Sequence, residues 1–263
     1  MKNIHKFYGL CIVCVVFYLF LIQKCQIKIT RGGQFEWDIF KLSNLIGIAE
    51  ETPPELVHID INAEFRIDPK NLICDQKSNK SFLFITFVVL APDYFAKRNL
   101  IRSTWGNKRV LPHDFRILFV IGMSPNSTIN KLVEEEFHIH KDILQINNFT
   151  DNYFNLTTKI MKSFKWITKY CSNAKYILRI NDDVVVNTHA LVNHFRGLNY
   201  SQNMIYGFGL FGLRPARDKS SKFYVSEKDY NKSVYGDYIE GKMLLFQQSN
   251  NFLKLSLSVA LRV

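Results

Sequence analysis

Residues 176–187, YILRINDDVVVN, place two adjacent carboxylates between two apolar segments. The residues before them are typical of a buried strand, which does not normally accept a charged group without a partner. Asp182 and Asp183 therefore lie where a predicted strand ends. Ligands of open α/β sheets bind outside the carboxyl ends of the strands, so these acids are candidates for a ligand site.

The flanking sequence predicts alternating strands and helices. Short apolar runs at 81–92 (SFLFITFVVLAP) and 115–122 (FRILFVIG) predict strands buried on both faces, and 142–149 (DILQINNF) predicts a third. Helical spacing predicts helices within 97–106 and 155–171. One face of the second helix carries Leu156, Ile160, Phe164 and Ile167. This alternation predicts an α/β fold with a mostly parallel sheet.

The two acids suit a hard divalent cation. Mg²⁺ or Mn²⁺ that is bound to a nucleotide diphosphate needs only one or two protein carboxylates, because phosphate oxygens and water supply the other ligands. A structural role is the alternative. Asn181 and Asp182 would then hydrogen-bond their own backbone in a turn, and Asp183 would cap the segment that follows.

Charge and composition exclude several classes of protein. The 263 residues are 47% hydrophobic, which is typical of a globular chain with a large core. Lys and Arg outnumber Asp and Glu by 34 to 23, a net charge of +11, yet no basic run of five residues occurs. Without a basic cluster or a recognition motif, nucleic-acid binding is disfavoured.

The N-terminus predicts a membrane anchor. Residues 7–22 (FYGLCIVCVVFYLFLI) are uncharged and apolar, and no small-residue cleavage site follows them. We therefore predict a cytoplasmic tail at 1–6, an uncleaved signal anchor at 7–23, a stem at 24–79 and a folded domain at 80–263.

Six sequons favour a chain that faces the secretory lumen, since chance would give about two or three. Predicted glycosylation sites are Asn79, Asn126, Asn148, Asn199 and Asn231. The sixth sequon, Asn155, lies at a predicted helix start and is not counted as a site.

Cysteine is sparse outside the anchor. Cys74 and Cys171 form either one disulfide or two separate thiols, and Cys25 could link two chains. No C-x-x-C pair occurs beyond the anchor, which excludes a cysteine zinc site there.

Four segments resemble the β1,3-galactosyltransferase family, glycosyltransferase family 31, and they occur in the family's order. They are RNLIRSTWG (98–106), DNYFNLTTK (151–159), YILRINDDVVVN (176–187) and KFYVSEKDY (222–230). The family carries R-x-x-I-R-x-T-W-G, D-x-Y-x-N-L-T-x-K and D-D-D-V-x-V-N at the first three. The resemblance spans about residues 82–246.

The resemblance implies a type II single-pass membrane protein of the Golgi with a GT-A-like, Rossmann-like fold. It implies a hexosyltransferase of protein glycosylation that moves galactose or N-acetylglucosamine from a UDP-sugar to a glycan acceptor, in β1,3 linkage with inversion. Mn²⁺ or Mg²⁺ is the implied cofactor. The alternatives are an inactive UDP-sugar or glycan-binding module on the same fold, and a tethered adhesion protein without a nucleotide site.

The family's site residues carry over by motif. Asp183 matches the expected metal ligand and Asp182 the acid before it. The positions that match on the donor side are Arg98, Arg102, Asp151, Lys159 and Asn181. Each has a simpler alternative: the arginines could cap a helix or pair on its surface, and Asp151 and Lys159 could be a helix-start acid and a solvated lysine.

Departures from the family pattern concern charge and aromatic groups. Asn181 replaces the first acid of the triplet, which removes one charge from the metal site. On the acceptor side, Phe223 replaces the tryptophan that precedes Tyr224, and Gly241 alone remains of the G-G-G-Y pattern.

The general base is not assigned. The family's E-D-V-x-x-G segment supplies a carboxylate for the acceptor hydroxyl, and no E-D pair occurs in 251–263 (NFLKLSLSVALRV). We expect either a sequence that is truncated at its C-terminus or a degenerate family member.

Overall fold

The computed structural model describes residues 62–74, 80–197 and 204–248, together with the backbone of a short strand at Ile39–Lys41. All of them belong to one compact unit, Asp38–Val263. The predicted tail, the anchor at 7–23 and the sequon residues Asn79 and Asn199 lie outside the described residues. None of the described helices is long and apolar enough to span a bilayer.

Strands and helices alternate over most of the described chain. In chain order the elements are β1 (Ile39–Lys41), β2 (Phe65–Ile67), α1 (Lys70–Ile73), β3 (Phe82–Val89), α2 (Phe95–Ser103), β4 (Phe115–Met123), α3 (Ser127–His140), β5 (Ile143–Thr150), a 3₁₀ turn (Tyr153–Asn155), α4 (Leu156–Tyr170), β6 (Ala174–Asn181), α5 (Thr188–Arg196), β7 (Met204–Leu210) and β8 (Tyr238–Gln247).

The described strands form one mixed sheet in the order β1-β7-β8-β6-β3-β4-β5-β2. Its centre, β6-β3-β4-β5, is parallel, because a crossover segment with a helix follows each of β3, β4 and β5. Its flanks are antiparallel: β8 pairs with β6, β7 with β8, β1 with β7, and β2 with β5. A mostly parallel sheet is thus confirmed for the centre only, and the whole fits a Rossmann-like, GT-A domain.

Helices cover both faces of the central strand β3, and all eight of its residues are buried. On one face, Phe87 packs edge-to-face against Phe164 of α4, with ring centroids 5.2 Å apart. On the other, Phe84 packs against Phe195 of α5 at 5.7 Å. The continuous apolar run at 81–92 is therefore the sequence of a strand buried on both faces, as predicted.

Helix α4 buries a wider face than the sequence pattern predicts. Phe164 and Ile167 are buried and Leu156 and Ile160 pack at the edge of the same core. Met161 and Trp166 are also buried, so the helix contacts the sheet along most of its length.

A disulfide joins Cys74, just after α1, to Cys171, just after α4. Both cysteines are buried in the core. Of the two alternatives that the sequence left open, the single bridge is therefore the one present.

Parts of the predicted stem at 24–79 pair with the sheet. β2 lies beside β5, with Phe65 opposite Ile146, and β1 lies beside β7. These three-residue strands are too short for a periodic sequence signal, and they stand at the two edges of the sheet.

Candidate functional site

The order of the strands places a ligand crevice between β3 and β6. From β3 the chain moves outward through β4 to β5, and it then returns through α4 to β6 on the other side of β3. Such a reversal leaves a crevice outside the carboxyl ends of the two central strands. Val89 and Asn181, the last residues of β3 and β6, are direct partners in the sheet.

Asn181, Asp182 and Asp183 lie at this crevice, as predicted from the sequence. Asn181 ends β6, and the two acids follow in a turn. Asp182 accepts a 2.6 Å hydrogen bond from the Nζ of Lys97 on α2, and this bond raises the pKa of Lys97. The carboxylate of Asp183 is exposed. One acid is therefore already paired, and the other is open to solvent.

The donor set suits a cation that takes most of its ligands elsewhere. Within the described ranges, no group of three or more His, Cys, Asp or Glu side chains could hold a metal ion. Two carboxylates and the Asn181 amide can still bind Mn²⁺ or Mg²⁺ when diphosphate oxygens and water complete its shell. The residues present thus fit the implied cation, and the metal stays a prediction.

Asp151 and Lys159 form a buried ion pair at the carboxyl ends of the parallel strands. Nζ of Lys159 lies 2.8 Å from each carboxylate oxygen of Asp151 and donates to the carbonyl of Leu90, just after β3, at 3.0 Å. Asp151 also accepts from the backbone N–H of Gly122 on β4 at 2.8 Å. Burial lowers the pKa of Lys159 against the opposing effect of Asp151.

This pair links the ends of β3, β4 and β5 beneath the crevice. Lys159 is 2% exposed, so the alternative of a solvated lysine is wrong. Whether the pair binds the donor stays a prediction.

Arg98 and Arg102 bind carboxylates of the protein. Arg98 is fully buried and donates to both carboxylate oxygens of Glu136 on α3. Arg102 joins Glu136 at 2.6 Å and Asp142 at 2.7 Å. These contacts describe an internal ion network that packs α2 against α3. The role predicted from the family motif, donor binding, stays a prediction for both arginines.

Arg98 also reaches the loop that borders the crevice. Its Nη1 and Nη2 donate to the carbonyls of Ala91 at 3.1 Å and Pro92 at 3.0 Å. With the bond from Lys159 to Leu90, buried cationic side chains hold three successive carbonyls after β3. The shape of this wall of the crevice thus depends on both motifs.

Phe223 and Tyr224 lie in the long connection between β7 and β8. Leu210, which ends β7, is paired with Tyr238, which begins β8. Because β8 is antiparallel to β6, the connection lies at the carboxyl end of β6, where Asp182 and Asp183 follow the strand. Phe223 is 60% and Tyr224 38% exposed, and the ammonium group of Lys222 lies over the Phe223 ring, 4.8 Å from its centroid.

Three predicted glycosylation sites are described, and all are exposed. Asn126 caps α3, Asn148 has a left-handed backbone (φ 49°), and Asn231 lies in the connection between β7 and β8. The Asn155 side chain is half-buried and donates to the carbonyl of Thr150. Modification of the exposed sites stays a prediction.

The partners of the arginines and of Asp182 were not predicted. Glu136 is the last of three consecutive glutamates, and only its position one helical turn after the buried Val133 distinguishes it. Lys97 and Asp182 are 85 residues apart in sequence, so no local pattern relates them. Such pairs follow from the sheet order, which the motifs alone do not give.

Comparison with known proteins gives matches over the same region. A family model described as Galactosyltransferase matches residues 96–255. The mouse lactosylceramide 1,3-N-acetyl-beta-D-glucosaminyltransferase is 32% identical over 168 residues, which are 60% of this chain and 44% of the mouse protein. The human protein of that name is 32% identical over 169 residues, again 60% and 44%. The zebrafish lactosylceramide 1,3-N-acetyl-beta-D-glucosaminyltransferase B is 32% identical over 204 residues, which are 69% of this chain and 52% of the zebrafish protein. The chain thus spans about half the length of these curated relatives.

Proposed function

Because this chain belongs to the galactosyltransferase family, we propose that it transfers a hexose from a UDP-sugar to the hydroxyl of a glycan acceptor. The relatives are named as enzymes that transfer N-acetylglucosamine to lactosylceramide, so N-acetylglucosamine is the favoured sugar and a galactose-ended glycan the favoured acceptor. The linkage is β1,3, formed with inversion. The observation that carries the proposal is the position of Asp182 and Asp183 at the strand-order reversal.

The donor diphosphate lies in the crevice between β3 and β6 in this proposal. Asp183 would hold Mn²⁺ or Mg²⁺, and Asp182, which is paired with Lys97, would add a second carboxylate beside the cation. When bound, this cation neutralises negative charge on the UDP leaving group. Arg98 and Lys159 keep the loop after β3 in the shape that the donor needs, since they hold its carbonyls.

The acceptor lies on the side of the connection between β7 and β8. Phe223 and Tyr224 offer exposed aromatic faces there, on which the apolar face of a sugar ring can stack. The acceptor hydroxyl displaces UDP from the anomeric carbon and must lose its proton. Asp151 and Asp182 are each engaged by a lysine, so neither is assigned as the group that takes this proton.

A Golgi location with the domain in the lumen is part of the proposal. The apolar run at 7–22 and the exposed sequons support it, and a buried disulfide is typical of the secretory pathway. The expressed chain should lose mass on digestion with an N-glycosidase and stay with membranes in carbonate. A chain with neither property would overturn the proposed location, but it would not contradict the proposed sugar transfer.

Sugar transfer tests the activity directly. The full-length chain is incubated with Mn²⁺, a lactose-ended acceptor and either UDP-N-acetylglucosamine or UDP-galactose, and the product is identified by mass spectrometry. We expect transfer from UDP-N-acetylglucosamine, lost in Asp183→Asn. Asp114→Asn is the matched control. Asp114 is a half-exposed acid that pairs with Arg196 and directly precedes β4, so it lies at the amino-terminal ends of the parallel strands, away from the crevice.

Binding of UDP without transfer to any acceptor would favour the inactive binding module. Absence of both transfer and UDP binding would overturn the proposed function.

A further inference from the structure

Arg179 is a buried cation without a partner. It lies on β6, three residues before Asp182, and is 3% exposed. Its Nε has no hydrogen-bond partner among the described residues, and no carboxylate of the described chain forms an ion pair with it. Arg98, which is equally buried, instead binds Glu136 and two carbonyls. Among the buried cations of the described residues, Arg179 is therefore the exception.

The position of Arg179 in the sheet brings it to the crevice. It stands between Phe87 of β3 and Leu244 of β8, on the two strands that flank β6. Alternation along a strand puts Arg179 on the same face as Asn181, the face covered by α4. Lys159 of α4 is buried at the same end of the strands, and its pKa is lowered mainly by burial and, to a smaller extent, by the charge of Arg179.

The two neighbouring cations differ in their compensation. Lys159 has the carboxylate of Asp151 at 2.8 Å, whereas no acid in the described part of the chain forms an ion pair with Arg179. Burial lowers the pKa of Arg179 to about 10, which leaves the guanidinium charged at neutral pH. A buried charge without a partner is costly to a folded protein and is expected where a ligand supplies the opposite charge.

A guanidinium group is well matched to phosphate. It presents a planar set of N–H donors that binds two oxygens of one phosphate group at once. A carboxylate ligand would satisfy the same donors with one charge, whereas a diphosphate offers more charge and more acceptor oxygens.

We propose that Arg179 is the anion-binding side chain of the crevice and that it binds a phosphate group of the nucleotide-sugar diphosphate. This inference rests on the proposed function, because that function supplies the diphosphate. Asp183 and Arg179 then have complementary tasks at the end of one strand. The acid holds the cation, and the arginine binds phosphate oxygens directly.

A comparison of uridine binding with UDP binding distinguishes a phosphate-binding role of Arg179 from a structural one, since the two ligands differ only in the diphosphate. Affinities of the full-length chain for both are measured by calorimetry at constant Mn²⁺. We expect Arg179→Met to weaken UDP binding by about 10- to 100-fold, the scale of a charged hydrogen bond, and to leave uridine binding unchanged. Arg179→Lys should lose less, because it keeps the charge.

Arg116→Met is the matched control. Arg116 lies on β4, which β3 separates from β6. Its Nε also has no partner among the described residues, and it stacks over Phe82 near the amino-terminal ends of the parallel strands. Its replacement should leave UDP affinity unchanged.

Thermal unfolding provides a second readout. Removal of an uncompensated buried charge should raise the Tm of the ligand-free chain in Arg179→Met and abolish the rise in Tm that UDP gives the wild type. A lower Tm with the UDP effect intact would identify a structural arginine and overturn the inference.

The outcomes distinguish the inference from the function on which it rests. Wild-type protein that does not bind UDP would overturn both. Wild-type binding that Arg179→Met retains in full, or an equal loss of uridine and UDP affinity, would overturn the inference alone.

Discussion

The ammonium group of Lys159 lies 2.8 Å from each carboxylate oxygen of Asp151, and both side chains are buried beneath the crevice. Asp151 in turn accepts from the backbone of Gly122, and Lys159 donates to the carbonyl of Leu90. One ion pair therefore joins three strand ends and a helix. Asp151 and Lys159 are the first and last residues of one sequence motif, DNYFNLTTK. A contact between residues close in sequence thus connects strands that are distant in sequence.

Lys159→Met should destabilise the fold by about 3–5 kcal/mol, because it leaves the Asp151 carboxylate buried without its partner. The double variant Lys159→Met with Asp151→Asn should be more stable than Lys159→Met alone. No unpaired charge remains in it, and the asparagine oxygen can still accept from Gly122. Urea unfolding of the two single variants and the double variant gives the coupling free energy.

Lys131→Met is the control for loss of a lysine, since Lys131 lies exposed on α3. Its effect should stay within about 0.5 kcal/mol. A coupling near zero between Lys159 and Asp151 would mean that the pair contributes nothing to the connection of the strand ends.

The sequence predicted the central strands and the position of Asp182 and Asp183 correctly. It did not predict which side chains pair with the arginines and with Asp182. The apolar runs at 81–92 and 115–122 and the end of the strand at Asn181 follow from local patterns, because a strand buried on both faces has few alternatives. For Lys159, by contrast, the sequence left a donor-side role and a solvated lysine as alternatives, and its burial follows only from the packing of α4 on the sheet. Arg179 gives no sequence signal at all, since its lack of a partner is a property of the packed structure.

Glu136 should make stability depend on pH in the acid range. Burial alone would raise its pKa, but hydrogen bonds and charges from Arg98 and Arg102 outweigh burial and hold the pKa below the ordinary value. Because the folded pKa is the lower one, the stabilisation is complete above the unfolded value of about 4.3 and is lost as pH falls through the folded pKa.

The test compares free energies of unfolding at pH 7 and pH 3. Glu136→Gln should cost about 3–5 kcal/mol at pH 7, where two arginines lose their charged partner, and clearly less at pH 3. Glu134→Gln, an exposed acid paired with Arg66, serves as the control and should show little difference between the two pH values. A Glu136→Gln effect that is equal at both pH values would contradict the ion network.

The disulfide should contribute about 2–5 kcal/mol, since it closes a segment with a sequence separation of 97 residues. The double variant Cys74→Ser with Cys171→Ser should unfold at a lower Tm than the wild type. Reductant should lower the Tm of the wild type and not that of the double variant. Wild-type protein in which both thiols react with an alkylating agent under native conditions would contradict the bridge.

The acids at the end of β6 give the sharpest test of the proposed site. Asp183→Asn should abolish the gain in UDP affinity that Mn²⁺ provides, and it should change the free energy of unfolding by no more than about 0.5 kcal/mol, because Asp183 is exposed. Asp182→Asn should do less to UDP affinity, since Lys97 at 2.6 Å already compensates this carboxylate. Asn181→Asp should strengthen Mn²⁺-dependent binding, because hard-cation affinity rises with the charge of the ligand set. Calorimetric titration of UDP with and without Mn²⁺ orders the three variants against the Asp114→Asn control. If Asp183→Asn bound UDP and Mn²⁺ as the wild type does, Asp182 and Asp183 would only close the turn after β6, and the metal-dependent site would have to be abandoned.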